Sequence, residues 1–172
     1  MIRKANFNDL EKISEIYENI HTLSENGLSD CCWKRNVYPT EKTASDAIAR
    51  GDMFVIEDEG EVAGSAIINK IQPEVYAKCT WSENVPEERI MVLHTLTVDP
   101  CKGKRGLGRK FLEFYEDYAR KDGCLYLRMD TNKNNQTARN FYAKLGYREV
   151  GINKCNFSGL PNVELVCLEK KC

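Results

Sequence analysis

Apolar residues recur at helical spacing in four segments of the chain. Leu10, Ile13, Ile16, Ile20 and Leu23 follow the three- and four-residue spacing of a helix with one buried face. Asn8 and Glu11 have the spacing of an N-cap residue and the glutamate that completes a capping box. The other helical segments are residues 40–50, 106–121 and 135–145, and glycines follow the first and last of these. The pattern predicts four helices.

Elsewhere the apolar residues come in short runs, which indicates strands. The predicted strands are residues 2–5, 53–56, 62–71, 89–98, 125–129, 147–152 and 163–168. Asp58-Glu59-Gly60 is typical of a hairpin turn, and Pro100 ends the fourth strand. The order β-α-α-β-β-β-α-β-α-β-β predicts an α/β fold with a mixed, mostly antiparallel sheet of about seven strands, flanked by about four helices.

The size and charge of the chain narrow the class of protein. Its 172 residues contain no internal repeat or linker-like tract, so we expect one domain over residues 1–172. Lys and Arg total 25 and Asp and Glu total 26, a balance that gives no electrostatic reason to bind nucleic acid. The sequence has neither an apolar run long enough to span a membrane nor a signal-peptide pattern. We therefore expect a cytoplasmic protein that binds neither nucleic acid nor membranes.

The eight cysteines are scattered through the chain without a C-x-x-C pair, and only two histidines are present. This spacing does not fit a zinc site, and we expect no metal. We interpret the cysteines as small core residues and surface thiols. A cysteine nucleophile paired with a histidine has no local signature in this sequence.

The strongest candidate for chemistry is the segment 98–109, where a strand ends, a glycine-rich basic loop follows and a helix begins. Free amides at a helix N-terminus attract phosphate, and glycines let the backbone come close to it. The spacing of the glycines is neither that of a P-loop nor that of a dinucleotide-binding fingerprint. The segment predicts either a phosphate site or a solvated basic loop. Its basic residues are Lys102, Lys104, Arg105 and Arg109.

Two separate motifs, in the right order, resemble those of the GNAT superfamily of N-acetyltransferases. The loop resembles the family pattern Arg/Gln-x-x-Gly-x-Gly/Ala, with Gly106 and Gly108 as the glycines and Gly103 at the Arg/Gln position. The downstream pattern Asn-x-x-Ala-x-x-Phe/Leu-Tyr-x-x-Leu-Gly-Tyr/Phe is matched by Asn135, Ala138, Phe141, Tyr142, Leu145, Gly146 and Tyr147. The resemblance implies the GNAT fold and transfer of an acetyl group from acetyl-CoA to a primary amine by direct attack. It also implies that acetyl-CoA binds between the strand ending at Val98 and the strand beginning near Leu125.

The resemblance implies roles for individual residues. Tyr142 is at the position of the acid that returns a proton to the thiolate, and otherwise it is a core aromatic residue; we expect only one of Phe141 and Tyr142 to face the cleft. His94 is a candidate base or a hydrogen-bonded strand histidine, with Glu87 and Glu88 as other candidates. Asn135 either contacts the pantetheine arm or caps its helix. The residues implied in coenzyme A binding are Leu96, Thr97, Val98, Gly103, Lys104, Arg105, Gly106, Leu107, Gly108, Arg109 and Asn135.

The sequence leaves the acceptor amine open. Candidate walls of its pocket are Trp33, Tyr38, Trp81 and His21, and Lys34 and Arg35 are candidates for holding an acidic group of the acceptor. An exposed final strand could pair two chains into a homodimer. The alternative to an enzyme is a GNAT-fold module that binds acyl-CoA without turnover, which Gly103 favours and which Tyr142 and Asn135 oppose.

Overall fold

The computed structural model of the protein describes residues 1–102 and 105–172. Within these residues, seven strands form one sheet and four α-helices lie against it. The strands are β1 (Ile2–Lys4), β2 (Met53–Asp58), β3 (Glu61–Asn69), β4 (Ile90–Val98), β5 (Tyr126–Asn132), β6 (Arg148–Phe157) and β7 (Leu160–Lys171). The helices are α1 (Leu10–Glu25), α2 (Glu41–Arg50), α3 (Leu107–Lys121) and α4 (Gln136–Lys144).

The strands lie in the order β1-β2-β3-β4-β5-β7-β6. Only β4 and β5 are parallel among the described neighbouring pairs, and the others are antiparallel. The predicted α/β class with a mixed, mostly antiparallel sheet is therefore confirmed. None of the helices in the described ranges has the length and apolar character needed to cross a membrane.

The core has parts on both faces of the sheet. Helix α3 places Phe111 and Tyr115, both fully buried, against β4 and β5. Helix α1 places Ile13 and Ile16 on the other face, together with α2. Thr40 caps α2 through a capping box with Thr43. The two helical layers fix the sheet from both sides and leave the end of β4 to form a site.

The first helix begins differently from the prediction. A 3₁₀ turn, Phe7–Asp9, precedes α1, and its capping box uses Asn6 and Asp9 rather than Asn8 and Glu11: the Asn8 amide donates to the Asn6 side chain, and the Asn6 amide donates to the Asp9 carboxylate. Arg3 on β1 holds this arrangement, because its guanidinium binds both oxygens of Asp9 at 2.8 Å. The helical spacing of the apolar residues does not reveal this ion pair with a strand.

The last strands are longer than predicted, and the final strand does not lie at the edge of the sheet. β5 continues through Asn132 because β7 pairs with it along its whole length. Residues 130–132 therefore belong to the strand, which was predicted to end at residue 129. β7 lies inside the sheet between β5 and β6, so the expectation that an exposed final strand would pair two chains is wrong. Residues 165–169 of the final strand are paired on both sides and offer no free edge to a second copy.

Gly64 on β3 faces the backbone of β4 at close range, and we expect Gly64→Ala to destabilise the protein. A Cβ atom there would lie 2.5 Å from the Thr97 carbonyl oxygen and 3.1 Å from Cγ2 of Ile56. Relieving this overlap requires a shift of the strand, with a cost of about 1–3 kcal/mol in the free energy of unfolding. Urea unfolding measures the change. The control is Gly108→Ala, where the nearest described atom would be 3.5 Å away, and equal losses for the two variants would contradict the prediction.

Candidate active site

The candidate site is a cleft between β4 and β5. The two parallel strands pair from Ile90 and Tyr126 to Leu93 and Met129, and past this point no described pairing joins them. A cavity of about 490 Å³ opens where they separate. The ends of adjacent parallel strands are a common place for a ligand site in α/β sheets. The cleft lies where the sequence predicted acetyl-CoA to bind.

Strand β4 bulges at the wall of this cavity. Ser65 pairs with Thr97 and Ile67 pairs with His94, which leaves two residues of β4, Thr95 and Leu96, opposite one residue of β3. Thr95 has a φ of +50°, in the left-handed region. Bulges re-aim backbone and side-chain groups beside active sites. Here the bulge and the missing partner strand leave β4 amides available to an oxygen atom in the cleft.

Tyr38 ties the loop before α2 to this bulge. Its hydroxyl group hydrogen-bonds to the Thr95 hydroxyl, and its ring is buried between the rings of Trp33 and Phe157. Burial raises the pKa of Tyr38 to about 12, so the hydroxyl stays protonated at neutral pH. Tyr38 therefore fixes one wall of the cavity relative to the strand that forms the other wall.

Part of the predicted coenzyme A set lines the cavity. Leu96, Thr97, Val98 and Asn135 are in its wall. The Thr97 hydroxyl is bound to the Ser65 hydroxyl at 2.8 Å, so β4 presents its backbone and not this side chain. Asn135 is the N-cap of α4, because its Oδ1 accepts the Ala138 amide at 3.0 Å. The helix-capping interpretation of Asn135 is thus confirmed, and the same residue borders the cavity.

The predicted phosphate loop lies next to the cavity. Gly103 and Lys104 fall outside the described residues. Gly106 is the N-cap of α3 with a φ of +72°, a conformation that favours glycine. The first amides of α3 have no acceptor within the helix and form a potential anion site. Leu107 is buried in the core, so only its backbone can contact a ligand.

The described basic side chains of this loop are engaged with carboxylates. Arg105 binds Asp58 at 2.7 Å and Glu59 at 3.0 Å, in the turn between β2 and β3. Arg109 pairs with Glu113 one helical turn further on. In this structure the two arginines lie outside the described lining of the 490 Å³ cavity. Ion pairs of such exposed side chains are weak, so a phosphate group can replace them.

Tyr142 reaches the cavity from α4. Its ring packs against Phe141 and Tyr147, with centroids 5.4 Å and 6.1 Å away, and its hydroxyl has no hydrogen-bond partner among the described residues. Burial raises the pKa of Tyr142 well above that of a free tyrosine. The hydroxyl is therefore a protonated donor that has no partner in residues 1–102 and 105–172.

Phe141 lines the same cavity, so the expectation that only one of the two rings faces the cleft is wrong. Thr137 and Ala138 line it as well. These four positions form one broad face of a helix, because adjacent residues are separated by about 100°. Phe141 provides an apolar wall beside the Tyr142 hydroxyl.

His94 lies on β4 and lines the cavity, held by a chain of hydrogen bonds. Its Nε2 is 3.0 Å from Oδ1 of Asn69, whose amide nitrogen donates to Asp52 at 2.9 Å. Because the Asn69 oxygen faces the ring, Nε2 carries the proton and Nδ1 is left as an acceptor. Burial lowers the pKa of His94 from its usual value near 6.5 to about 4. His94 is therefore uncharged at neutral pH and is a weak base.

Asp130 is a site residue that the sequence analysis missed. It lies at the end of β5 in the cavity wall, and the Tyr76 hydroxyl donates to its Oδ2 at 2.9 Å. Burial raises the pKa of Asp130 to about 6. The predicted strand ended at residue 129, but a carboxylate directly after it was a usable signal. Parallel neighbours bring their ends to the same edge of a sheet.

Two of the four residues predicted to form walls of the acceptor pocket line the cavity. Trp33 and Tyr38 line the cavity, whereas Trp81 and His21 do not. The ring of Trp81 stacks on the guanidinium of Arg128, with 3.8 Å between that group and the ring centroid. His21 is buried beneath the loop that joins α1 to α2. Only the first two aromatic residues can contact a ligand in the cleft.

The charged alternatives also lie away from the cavity lining. Glu87 and Glu88 are exposed in a short 3₁₀ turn before β4. Arg35 binds Glu18 and Glu25 on α1. Lys34 is absent from the described lining as well. These residues are not placed to act on a bound acetyl group.

The cysteines and acidic residues do not assemble a metal site in the described ranges. Cys124 and Cys167 are buried, and Cys32, Cys101 and Cys172 are exposed. No three His, Cys, Asp or Glu side chains of residues 1–102 and 105–172 come close enough together to hold a metal ion.

Comparison with known proteins places this geometry in a family. Residues 12–147 match the model of the acetyltransferase (GNAT) family. The chain is similar to streptothricin acetyltransferase from Escherichia coli, at 29% identity over 151 residues that cover 88% of this chain and 78% of the relative. It is also similar to N-alpha-acetyltransferase RimI from Mycobacterium tuberculosis, at 37% identity over 62 residues that cover 36% and 37%.

Two solved structures have a similar fold. A GNAT-family acetyltransferase from Streptococcus agalactiae has a TM-score of 0.80 and 25% identity, covering 100% of this chain and 95% of that one. The yncA protein from Salmonella typhimurium, solved with its cofactor acetyl-CoA, has a TM-score of 0.69 and 21% identity, covering 99% and 92%. With the family match, they confirm the predicted fold and enzyme class, an acetyl-CoA-dependent N-acetyltransferase. The chain therefore belongs to the acetyltransferase (GNAT) family.

Proposed function

We propose that the protein transfers the acetyl group of acetyl-CoA directly to a primary amine, with Tyr142 as the general acid. The observation that carries this proposal is the unpartnered Tyr142 hydroxyl in a cavity whose opposite wall is the bulged strand β4. The amine nitrogen attacks the thioester carbonyl carbon, and the carbonyl oxygen becomes an oxyanion near the free β4 amides. The C–S bond then breaks, and the thiolate takes the proton of Tyr142.

The attacking amine also has to lose a proton, and Asp130 is better suited to accept it than His94. A general base works best when its pKa is near the working pH. Asp130, with a pKa near 6, is mostly ionised at pH 7. His94, with a pKa near 4, is free to accept a proton but holds it weakly. We assign the base to Asp130, acting directly or through water, and a polar positioning role to His94.

The first turn of α3 is the proposed site of the coenzyme A phosphates. The amides that follow Gly106 point away from the helix, and the helix dipole favours a negative charge there. Arg105 and Arg109 are close by in sequence and can exchange their exposed carboxylate partners for phosphate oxygens. The pantetheine arm then runs along β4 toward the bulge, past Asn135.

Saturating acetyl-CoA is expected to raise the melting temperature by about 5–10 °C. A ligand at a hundredfold excess over its Kd stabilises the folded state by about 2.7 kcal/mol, and a chain of this size gains about 2–4 °C per kcal/mol. Differential scanning fluorimetry with acetyl-CoA, and with adenosine as a control without the pantetheine arm, measures the shift. A melting temperature unchanged by millimolar acetyl-CoA would refute the assignment of the cavity.

The activity itself is tested by following the release of the coenzyme A thiol in the presence of a panel of primary amines. Stimulation by at least one amine, with the acetylated amine found by mass spectrometry, supports the proposal. Binding of acetyl-CoA with slow hydrolysis that no amine stimulates would favour the alternative, a module that binds acyl-CoA without turnover.

A further inference from the structure

The part of the cavity beyond the β4 bulge has an aromatic wall. The rings of Trp33 and Phe157 meet the ring of Tyr38 edge to face, with centroids 6.1 Å and 5.4 Å away. Leu160 and Leu165 of β7 extend this wall with aliphatic side chains. A surface of this kind binds the apolar body of a ligand, because burying apolar groups on both sides removes them from water.

The charged side chains in the described lining of the same cavity are all acidic. Its described lining includes the carboxylates of Asp30 and Asp130 and contains no lysine or arginine. His94 is uncharged at neutral pH. A carboxylate or phosphate on the acceptor, close to the reacting amine, would lose its hydration without gaining a cation and would face Asp130. An ammonium group entering the cavity would instead meet a carboxylate.

A neighbouring groove contains basic side chains, but acidic partners already hold them. This groove shares Tyr38, His94, Thr95 and Phe157 with the main cavity and extends along α2. The Nζ atom of Lys42 lies 2.9 Å from Asp46, and Nε of Arg50 lies 3.0 Å from Asp52. The groove therefore offers paired charges rather than a free cation for an acidic acceptor.

We propose, building on the proposed function, that the acceptor is a primary amine on an apolar or aromatic body without a carboxylate or phosphate group. The ammonium group enters toward Asp130, which removes its proton, while the body packs against Trp33, Tyr38 and Phe157. Amino acids and acidic peptide ends are then poor acceptors, and polyamines lack the apolar body that this wall fits.

Three acceptors of matched shape test the inference: phenethylamine, phenylalaninamide and phenylalanine. We expect kcat/KM for phenethylamine to exceed that for phenylalanine by at least about 100-fold, because juxtaposed like charges cost several kcal/mol. Phenylalaninamide has the same side chain and an uncharged carbonyl group, so it should be accepted. Spermidine tests the apolar body and should react at least about tenfold less efficiently than phenethylamine.

The variant Trp33→Ala tests whether the acceptor lies against the wall. We expect the KM of phenethylamine to rise about tenfold while the KM of acetyl-CoA stays unchanged. Phe7→Ala, at an exposed ring outside the cavity lining, is the control and should leave both values unchanged.

The outcomes separate the two proposals. Preference for phenylalanine or for spermidine over phenethylamine would overturn the inference and leave the proposed function standing. Unchanged acceptor KM in Trp33→Ala would also overturn it. If acetyl-CoA binds but no amine in the panel is acetylated, the proposed function fails and the inference with it.

Discussion

Replacing Tyr142 by phenylalanine is expected to lower kcat by about 10²–10⁴-fold while acetyl-CoA binds as before. The hydroxyl is the only group removed, and loss of a general acid has an effect of this size. The phenylalanine ring can occupy the same space against Phe141 and Tyr147. Because the hydroxyl has no described hydrogen-bond partner, its removal leaves no buried group unsatisfied. Steady-state kinetics and the acetyl-CoA melting shift, measured on the same preparation, check both parts.

Tyr147→Phe is the matched control for this prediction. Tyr147 belongs to the same aromatic cluster, but its hydroxyl donates to Glu116 at 3.1 Å and the residue is outside the cavity lining. Its loss should alter stability slightly and turnover very little. Full activity of Tyr142→Phe, with pre-steady-state kinetics showing that acetyl transfer is the slow step, would rule out Tyr142 as the acid.

The fold could be predicted from the sequence largely because its signals are local. The helical spacing from Leu10 to Leu23, the helix over residues 40–50 and the hairpin turn at Gly60 each depend on a few consecutive residues. The elements that were mispredicted depend on partners in other elements. Asp9 completes the capping box ahead of α1 while Arg3 of β1 binds its carboxylate, and β5 extends to Asn132 because β7 pairs with it. Neither partner can be found from spacing along the chain.

The site shows the same division. The sequence motif around Tyr142 correctly identified a residue that lines the cavity, because the motif consists of neighbouring residues on one helix. The missing residue, Asp130, became visible only when the sheet order made β5 the parallel neighbour of β4. The properties of His94 also depended on the fold, because burial between β3 and the cavity, rather than any adjacent residue, lowers its pKa. The residue type suggested His94 as the base, but the pKa that burial gives to each side chain decides which group can accept the proton.

Asp130→Asn is expected to lower kcat/KM at pH 7 by about 10²–10⁴-fold and to remove the limb of the pH profile that levels off near pH 6. A carboxylate must be ionised to accept a proton, so the wild-type kcat/KM should rise with pH and level off above the pKa of about 6. The variant cannot ionise there, so its residual rate requires an amine that has already lost its proton and should rise about tenfold per pH unit across this range without levelling off. The measurement is kcat/KM for one amine between pH 5 and 8, in buffers of constant ionic strength.

The melting temperature of Asp130→Asn shows whether its loss of activity is caused by unfolding rather than by loss of the base. Burial raises the pKa of Asp130 in the folded state, so protonation favours folding and the ionised group destabilises the protein as pH rises above the unfolded value of about 3.9. Asp130→Asn removes that buried charge and keeps an acceptor for the Tyr76 hydroxyl, so its melting temperature at pH 7 should equal or exceed that of the wild type.

His94→Gln separates the two candidate bases, because a histidine with a pKa near 4 cannot produce a limb near pH 6. We expect the limb to persist in His94→Gln, and its persistence in Asp130→Asn would exclude Asp130 as the base.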